Sequence, residues 1–169
     1  VMTNPASRNI VEFAVKIPSG EDKSEITYLP IDSKFPVEAY IRLCSAADSG
    51  DSAMVEYERK SLERTILDQA KEIRKYINEP QTTPFAIMYL ATEGLYAEIT
   101  SSSSDILDKI QRENIMVAGP TTIIALLNTL SMGFKAVAIN EKANEVRQLL
   151  AVTKAQYEKF GTVLEKARK

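Results

Sequence analysis

The stretch 26-ITYLPIDSKFP-36 decides the fold, because it has the pattern of a strand that ends on an acid and a lysine. Upstream, 11-VEFAVKI-17 alternates apolar and polar residues, as a half-buried strand does. Its expected apolar face holds Val11, Phe13, Val15 and Ile17. The polar turn 18-PSGEDKSE-25 joins the two segments, so we predict an antiparallel hairpin. Pro30 within the second strand implies a sheet edge, a bulge or a local bend.

The remainder of the chain alternates between helical patterns and buried-strand patterns. A helix is expected after Pro36, and the polar run 48-DSGDS-52 separates it from a long amphipathic helix that reaches about Asn78. Continuously apolar runs predict strands buried on both faces at 85-FAIMYLA-91 and 115-IMVAG-119. The predicted fold class is therefore α/β.

The C-terminal half is expected to be mostly helical. Its predicted helices lie around 93-EGLYAEI-99, from 101-SSSSD-105 to about Glu113, from Pro120 to about Met132, and from about Phe134 to Lys169. Gly133 and Asn140 are candidate breaks. We predict two parts, a core over 1–135 and a helical segment over 136–169 that packs on the core or extends as a coiled-coil arm.

Composition excludes several classes of chemistry. The 169 residues, 44% of them hydrophobic, suffice for one domain with a core, and 21 basic against 23 acidic residues make any polyanion site a local one. The chain has no histidine, which excludes histidine-based triads, zinc deaminase chemistry and histidine ligation of haem. Cys44 is the single cysteine, so a reducing, intracellular setting is favoured, and its apolar neighbours predict an inert core thiol.

The end of the second strand is the candidate site. Asp32 and Lys34 are two residues apart, so a strand that persists through Lys34 places them on one face. If the hairpin pairs residue 17 with residue 26 or 27, residue 12 falls opposite residue 31 or 32, so Glu12 is expected beside Asp32 on the neighbouring strand. Two carboxylates and a lysine would then lie together.

That combination suits metal-dependent cleavage of phosphodiester bonds. Paired carboxylates hold a hard cation such as Mg²⁺ or Mn²⁺, and the carbonyl of Ser33 would supply a further oxygen. Lys34 would orient or help to deprotonate a metal-bound water and would stabilise negative charge on the phosphate. The alternative is an incidental ion pair on the surface.

Polar and aromatic groups elsewhere are further candidates. Glu93, in a first helical turn after a buried strand, is either a supporting group beside the metal or a partner of the helix dipole. Thr121 and Thr122 begin another helix and would bind a DNA phosphate or simply cap the helix. Tyr40 and Phe35 would stack on bases, with core packing the stronger expectation for Phe35.

Several long blocks of the sequence resemble one known family. The blocks are 26-ITYLPIDSKFPVEAYIRL-43, 85-FAIMYLATEGLYAEI-99, 117-VAGPTTIIALLNTLSMGF-134 and 148-QLLAVTKAQYEKFGTVLEK-166. From about Asn9 to the C-terminus the chain resembles the RmuC family of bacterial DNA recombination proteins. That family is similar to PD-(D/E)xK nucleases, so the resemblance implies a restriction-endonuclease-like core, DNA as the partner and Mg²⁺ or Mn²⁺ as the cofactor.

The resemblance also implies roles for particular residues. The acid–x–lysine motif of the family lands on Asp32-Ser33-Lys34, and its proline–aspartate motif lands on Val11-Glu12 before Pro18. This chain therefore has Glu where the family has Asp and Val where it has Pro. The additional methylene of Glu12 alters the geometry of a metal ligand.

The resemblance further implies that the chain is a fragment. Family members typically carry an N-terminal membrane anchor, a long coiled coil and a first helix of the nuclease core, and the chain starts abruptly at 1-VMTNPASRN-9. No signal peptide and no apolar run of about 20 residues is visible, so no membrane contact is expected within the fragment. The implied location is cytoplasmic, with the full-length protein at the inner face of the bacterial membrane.

Three functions remain open on the sequence alone. The first is a DNA-cleaving, metal-dependent domain. The second is a catalytically silent DNA-binding or scaffolding domain that limits recombination. The third is a structural arm, in which the C-terminal helices form a homo-oligomer and the acid–lysine pair is incidental.

Overall fold

A computed structural model describes residues 10–19, 25–101 and 105–167 of the chain. The elements are β1 (Phe13–Ser19), β2 (Glu25–Lys34), α1 (Val37–Ser49), α2 (Ser52–Arg74), β3 (Ala86–Leu90), α3 (Glu93–Ser101), α4 (Ile106–Arg112), β4 (Ile115–Ala118) and α5 (Pro120–Ala167). The α/β class is thereby confirmed. Much of the predicted hairpin turn and of the serine-rich segment, residues 20–24 and 102–104, lies outside the described residues.

The four strands form one mixed sheet in the order β1-β2-β3-β4. The hairpin pairs β1 with β2 antiparallel, whereas β2 with β3 and β3 with β4 are parallel. Helices α1 and α2 connect β2 to β3, and α3 and α4 connect β3 to β4. Each parallel pair is thus joined by a helical crossover, as parallel strands require.

The register of the hairpin confirms one of the two predicted pairings. Ile17 lies opposite Thr27, and Phe13 lies opposite Ile31. The start of β1 was predicted wrongly, because a bend at Glu12 separates Val11, which is fully buried, from Phe13, which is 62% exposed. The alternation of the sequence therefore does not continue across Glu12.

Pro30 marks a local gap in the β2 ladder. Upstream of it, the backbone of Tyr28 hydrogen-bonds to Gln81 and Thr83. Beyond it, pairing with β3 begins at Ile31. Pro30 has no N–H to donate to a neighbouring strand. It therefore lies between the two hydrogen-bonded regions of β2, which is how an inner strand accommodates a proline.

The main core lies between one face of the sheet and helices α1 to α4. Its large, fully buried side chains include Leu62, Ile66, Ile73, Met88, Leu90 and Leu95. Helix α2 begins where Oδ1 of Asp51 accepts hydrogen bonds of 3.0 Å from the N–H groups of Ala53 and Met54. Helix α1 ends at Gly50, whose φ of 72° is the left-handed conformation that glycine adopts readily.

Contacts divide the chain into two compact units, Val1–Ile124 and Ala125–Lys169. The predicted breaks at Gly133 and Asn140 are wrong, because α5 is continuous through both positions. A single glycine or asparagine costs a helix at most about 1 kcal/mol, and good helix formers surround both residues. Within the described ranges, no helix is long and apolar enough to cross a membrane.

Candidate functional site

Asp32 and Lys34 occupy the carboxyl end of β2. Asp32 lies beside Met88 of β3, and Lys34 lies beside Leu90. Met88 and Leu90 belong to the helix-covered core, so the two polar residues share the buried face of the sheet. The carboxyl ends of parallel strands are where open α/β sheets commonly bind ligands.

The acid and the lysine form a close ion pair. Nζ of Lys34 lies 2.7 Å from Oδ2 of Asp32, and the two side chains are 28% and 4% exposed. Oδ2 is shielded from solvent and receives no hydrogen bond of good angular geometry from any described residue. Asp32 thus keeps a buried oxygen with unused acceptor capacity, which is costly unless a further partner binds there.

Glu12 approaches the same pair from the hairpin. The ladder ends at Phe13 opposite Ile31, one residue short of Glu12 and Asp32, and a bend lies at Glu12. Glu12 precedes β1 and is exposed. Its negative charge is the smallest of the influences that raise the pKa of Lys34.

The surroundings of Lys34 keep it protonated. Partial burial by itself lowers the pKa of the ammonium group, but the contact with the Asp32 carboxylate and the charges of Tyr76 and Glu12 outweigh burial, so the pKa is raised. Lys34 is therefore suited to act as a cation and hydrogen-bond donor. A role as a base in the resting state does not fit this environment.

Sequence reasoning missed two polar residues, Gln69 on α2 and Tyr76 in the turn that follows it. Tyr76 is near enough to affect the pKa of Lys34. Gln69 has a buried Oε1 atom with no hydrogen-bond donor among the described residues. Gln69 and Ile73 lie four residues apart on one face of α2, and a glutamine within an apolar stripe was the signal that could have identified Gln69.

A cavity of about 380 Å³ is lined in part by the residues that directly follow Lys34 in the sequence. Its lining consists of Phe35, Pro36, Val37, Glu38, Ala39, Arg42, Thr65 and Gln69. Phe35 is 42% exposed, which corrects the expectation that it packs in the core. The reason is its position at the turn between β2 and α1, where Pro36 is buried instead.

Tyr40 packs against the core, which does not suit its predicted role of stacking on DNA bases. It is partly buried against the core, and its hydroxyl lies where a side chain at Gly94 would be. Burial and the neighbouring Cys44 thiol raise the pKa of Tyr40. Cys44 itself is exposed, so the predicted core thiol is wrong, because the buried stripe of α1 is formed by Ala39, Leu43 and Ala46.

Glu93, Thr121 and Thr122 lie together at the start of α5. Oε1 of Glu93 accepts a 2.6 Å hydrogen bond from the N–H of Thr121, and Oγ1 of Thr122 accepts one of 2.9 Å from the N–H of Gly119. The hydrogen bonds from Thr121 lower the pKa of Glu93. A DNA phosphate that bound at the N-terminus of α5 would have to displace the carboxylate of Glu93.

Metal-ligating side chains are sparse across the described ranges. No group of three or more Asp, Glu, Cys or His side chains in them is arranged to hold a metal ion. The candidate site therefore consists of two carboxylates, the backbone carbonyl of Ser33 and one cation. Such a set leaves most of the coordination sphere of a bound ion to water.

The profile of the RmuC family matches residues 1–169, the full length of the chain. The chain belongs to the RmuC family. It is 47% identical over 167 residues to the DNA recombination protein RmuC homolog of Xylella fastidiosa strain Temecula1, and equally to that of strain 9a5c. The homolog from Chlamydia muridarum is 26% identical over 124 residues.

The match covers only part of these relatives. The RmuC chain described here spans 36% of the Xylella proteins, while 98% of the chain itself is aligned. For the Chlamydia muridarum homolog the shares are 27% of the relative and 72% of this chain. No solved structure matches the chain.

Proposed function

We propose that this RmuC domain cleaves DNA phosphodiester bonds during recombination, at a metal-dependent site centred on Asp32 and Lys34. The named role of the relatives, DNA recombination, supports the substrate class. The observation that carries the proposal is the buried carboxylate of Asp32, 2.7 Å from Lys34 at the carboxyl end of a strand. The mixed sheet with helical crossovers is compatible with a restriction-endonuclease-like core of the PD-(D/E)xK type.

The residues present fit a hard divalent cation. Oδ2 of Asp32 is buried with unused acceptor capacity, and the charge of Glu12 acts on the same place. Asp32, Glu12 and the carbonyl of Ser33 would hold Mg²⁺ or Mn²⁺, with water as the remaining ligands. When bound, the cation lowers the pKa of a water ligand and offsets the charge of a phosphate.

Lys34 performs the electrostatic part of the reaction in this proposal. Because its pKa is raised, Lys34 remains an ammonium group at neutral pH. Its N–H groups donate to a phosphate oxygen or to the attacking water and stabilise the negative charge that develops. The ion pair with Asp32 fixes the position of the ammonium group before DNA binds.

The second candidate is a domain that binds DNA without cleaving it. The observation in its favour is that the described residues offer no cluster of three metal-ligating side chains. In that case the Asp32–Lys34 pair would orient the end of β2, and the domain would limit recombination by occupying DNA or recruiting other proteins.

The decisive experiment measures metal binding and cleavage on the same variants. We expect the wild-type chain to bind Mn²⁺, as measured by electron paramagnetic resonance. We also expect it to cleave linear and single-stranded DNA in the presence of Mg²⁺ or Mn²⁺. Both should be lost in Asp32→Asn, whereas Lys34→Gln should lose cleavage but retain Mn²⁺. Lys75→Gln is the matched control, because Lys75 forms a similar ion pair with Glu72 on an exposed face of α2.

The outcomes separate the two candidates. Urea unfolding of each variant shows whether the fold survives. DNA binding that is unaffected by Asp32→Asn, together with no cleavage in either metal, would overturn the nuclease proposal in favour of the silent DNA-binding domain.

A further inference from the structure

The cavity of about 380 Å³ that Phe35 lines, called the Phe35 cavity below, has no role in the proposed cleavage chemistry. Its wall comes from the turn after β2, the first turns of α1 and the second half of α2. Phe35 directly follows Lys34, so their Cα atoms lie about 3.8 Å apart and the cavity begins beside the candidate site. Ligand sites in proteins span about 300–1,000 Å³, so the cavity has room for one small organic group.

Three side chains of this wall offer oxygen acceptors. Oε1 of Gln69 is buried and has no hydrogen-bond donor among the described residues. Oγ1 of Thr65 donates its hydrogen to the carbonyl of Ser61 over 3.0 Å, so only its lone pairs remain available. Glu38 adds an exposed carboxylate. A buried acceptor without a donor is costly, so a ligand with N–H groups would stabilise this wall.

The charges of the wall argue against a simple ion as the ligand. Arg42 contributes a guanidinium group that is 49% exposed and uses its Nε atom to contact Glu58. The carboxylate of Glu38 disfavours a free anion, and the guanidinium group of Arg42 disfavours a free cation. A neutral group that carries both donors and acceptors fits this combination.

Phe35 adds a flat apolar surface to these polar groups. Its side chain is 42% exposed, although it lies in the wall of a cavity next to the proposed cleavage site. Aromatic rings in this situation stack on nucleobases, and such stacking tolerates any base because every base has a π face. The polar groups of the wall would then discriminate between bases by their edges.

We propose that the Phe35 cavity binds one nucleobase that carries an exocyclic amino group, stacked on Phe35 and donating N–H groups to Gln69 and Glu38. The proposal rests on the proposed function, because it takes DNA as the ligand. Adenine, cytosine and guanine carry such an amino group, whereas thymine would direct carbonyl oxygens or its methyl group at the acceptors. Thymine is therefore the disfavoured base.

A base can enter this cavity only when it is out of the double helix. Unpairing and unstacking a base costs free energy, and the cost is least when the strand is already single. The cavity therefore selects single-stranded DNA or frayed ends for the neighbouring site at Asp32 and Lys34.

The first test measures base preference without cleavage. Fluorescence anisotropy compares the binding of labelled oligo(dA), oligo(dC) and oligo(dT), each of about eight nucleotides, to the whole chain in EDTA. We expect oligo(dA) and oligo(dC) to bind about tenfold more tightly than oligo(dT). Gln69→Leu should abolish this preference and leave the affinity for oligo(dT) unchanged.

The stability of Gln69→Leu separates loss of recognition from loss of the fold. The change replaces a buried oxygen that has no donor by an apolar group of similar size. Such a replacement is neutral or stabilising, so the variant should unfold at the same urea concentration as wild type or at a higher one.

The second test concerns stacking. Phe35→Leu should weaken binding of all three oligonucleotides about tenfold, because the stacking surface is lost whichever base is bound. Tyr57→Leu is the matched control, since Tyr57 is an aromatic residue that is 67% exposed and does not line the cavity. It should leave all three affinities unchanged.

The outcomes are distinct from those that test the nuclease. No binding, equal binding of the three oligonucleotides, a preference that survives Gln69→Leu, or equal effects of Phe35→Leu and Tyr57→Leu would overturn the base site. A preference in EDTA without cleavage in Mg²⁺ or Mn²⁺ would support the base site and contradict the nuclease. Cleavage by a chain that shows no preference would do the reverse.

Discussion

Glu93 caps the start of α5 across the edge of the sheet, since its Oε1 lies 2.6 Å from the backbone nitrogen of Thr121. The contact joins the first turn of the helix that follows β3 to the first turn of the helix that follows β4. It therefore ties together the carboxyl ends of two neighbouring parallel strands, beside the strand end that carries Asp32 and Lys34.

We predict that the stabilisation from Glu93 depends on pH. Its pKa is lowered in the folded state by the hydrogen bonds from Thr121. The stabilisation is therefore present above the ordinary glutamate pKa of about 4.3 and is lost as pH falls through the lower folded value. Urea unfolding should show Glu93→Gln to be less stable than wild type at pH 7, with the difference vanishing in acid. A difference that persists in acid would contradict this.

Gly119→Ala should destabilise the fold by about 1–3 kcal/mol through overpacking. A Cβ at this position would lie 2.8 Å from Cγ of Tyr96 and 3.1 Å from Oε2 of Glu93. Gly133→Ala is the control, because nothing lies within 4 Å of the added Cβ. That change should be neutral or stabilise α5 by about 0.5–1 kcal/mol. Thermal unfolding followed by circular dichroism compares the two, and similar destabilisation by both would refute the steric account.

Arg42→Met should cost about 1–3 kcal/mol, because it leaves Glu58 without its partner. Nε of Arg42 lies 3.0 Å from Oε2 of Glu58, and Glu58 is only 8% exposed. The exposed pair of Lys75 with Glu72 provides the comparison, and Lys75→Met should cost less than about 0.5 kcal/mol. Chemical denaturation measures both. A double change of Arg42 and Glu58 to Met that recovers no stability would argue against an unpaired buried charge as the cause.

Lys34→Met should also cost about 1–3 kcal/mol at neutral pH, since Asp32 would be left buried and unpaired. The raised pKa of Lys34 means that its contribution is complete below the ordinary lysine pKa of about 10.4. It should disappear as pH rises through the higher folded value. The difference in unfolding free energy between wild type and Lys34→Met, measured from neutral to strongly alkaline pH, checks this. A difference that does not shrink would show that charge is not responsible.

Local pattern was sufficient to predict the hairpin and the acid–lysine pair, and it narrowed the register to two neighbouring alternatives, of which the structure has one. Alternation allows only registers that keep apolar residues on one face, and Ile17 opposite Thr27 satisfies that requirement. These relationships depend on residues close together in the sequence, so they could be predicted without knowing the tertiary structure.

Features that depend on packing between distant elements could not be predicted. Gln69 lines the same cavity as Phe35 and Arg42, and Tyr76 affects the pKa of Lys34, although both residues lie more than 25 positions away from their neighbours in the sequence. The exposure of Cys44 depends on which side of α1 faces the core. Apolar neighbours in the sequence do not determine that orientation, because several helical faces of α1 carry apolar residues.

The burial of Asp32 has a consequence for the order in which the fold assembles. The β1–β2 hairpin joins neighbouring segments, whereas Asp32 pairs with Met88 across the whole of α1 and α2. Closing that longer loop is the slower kind of event. An intermediate that holds only the hairpin would leave the Asp32 carboxylate in contact with water. The burial of that carboxylate is thus a product of the long-range step, completed only when β3 has docked.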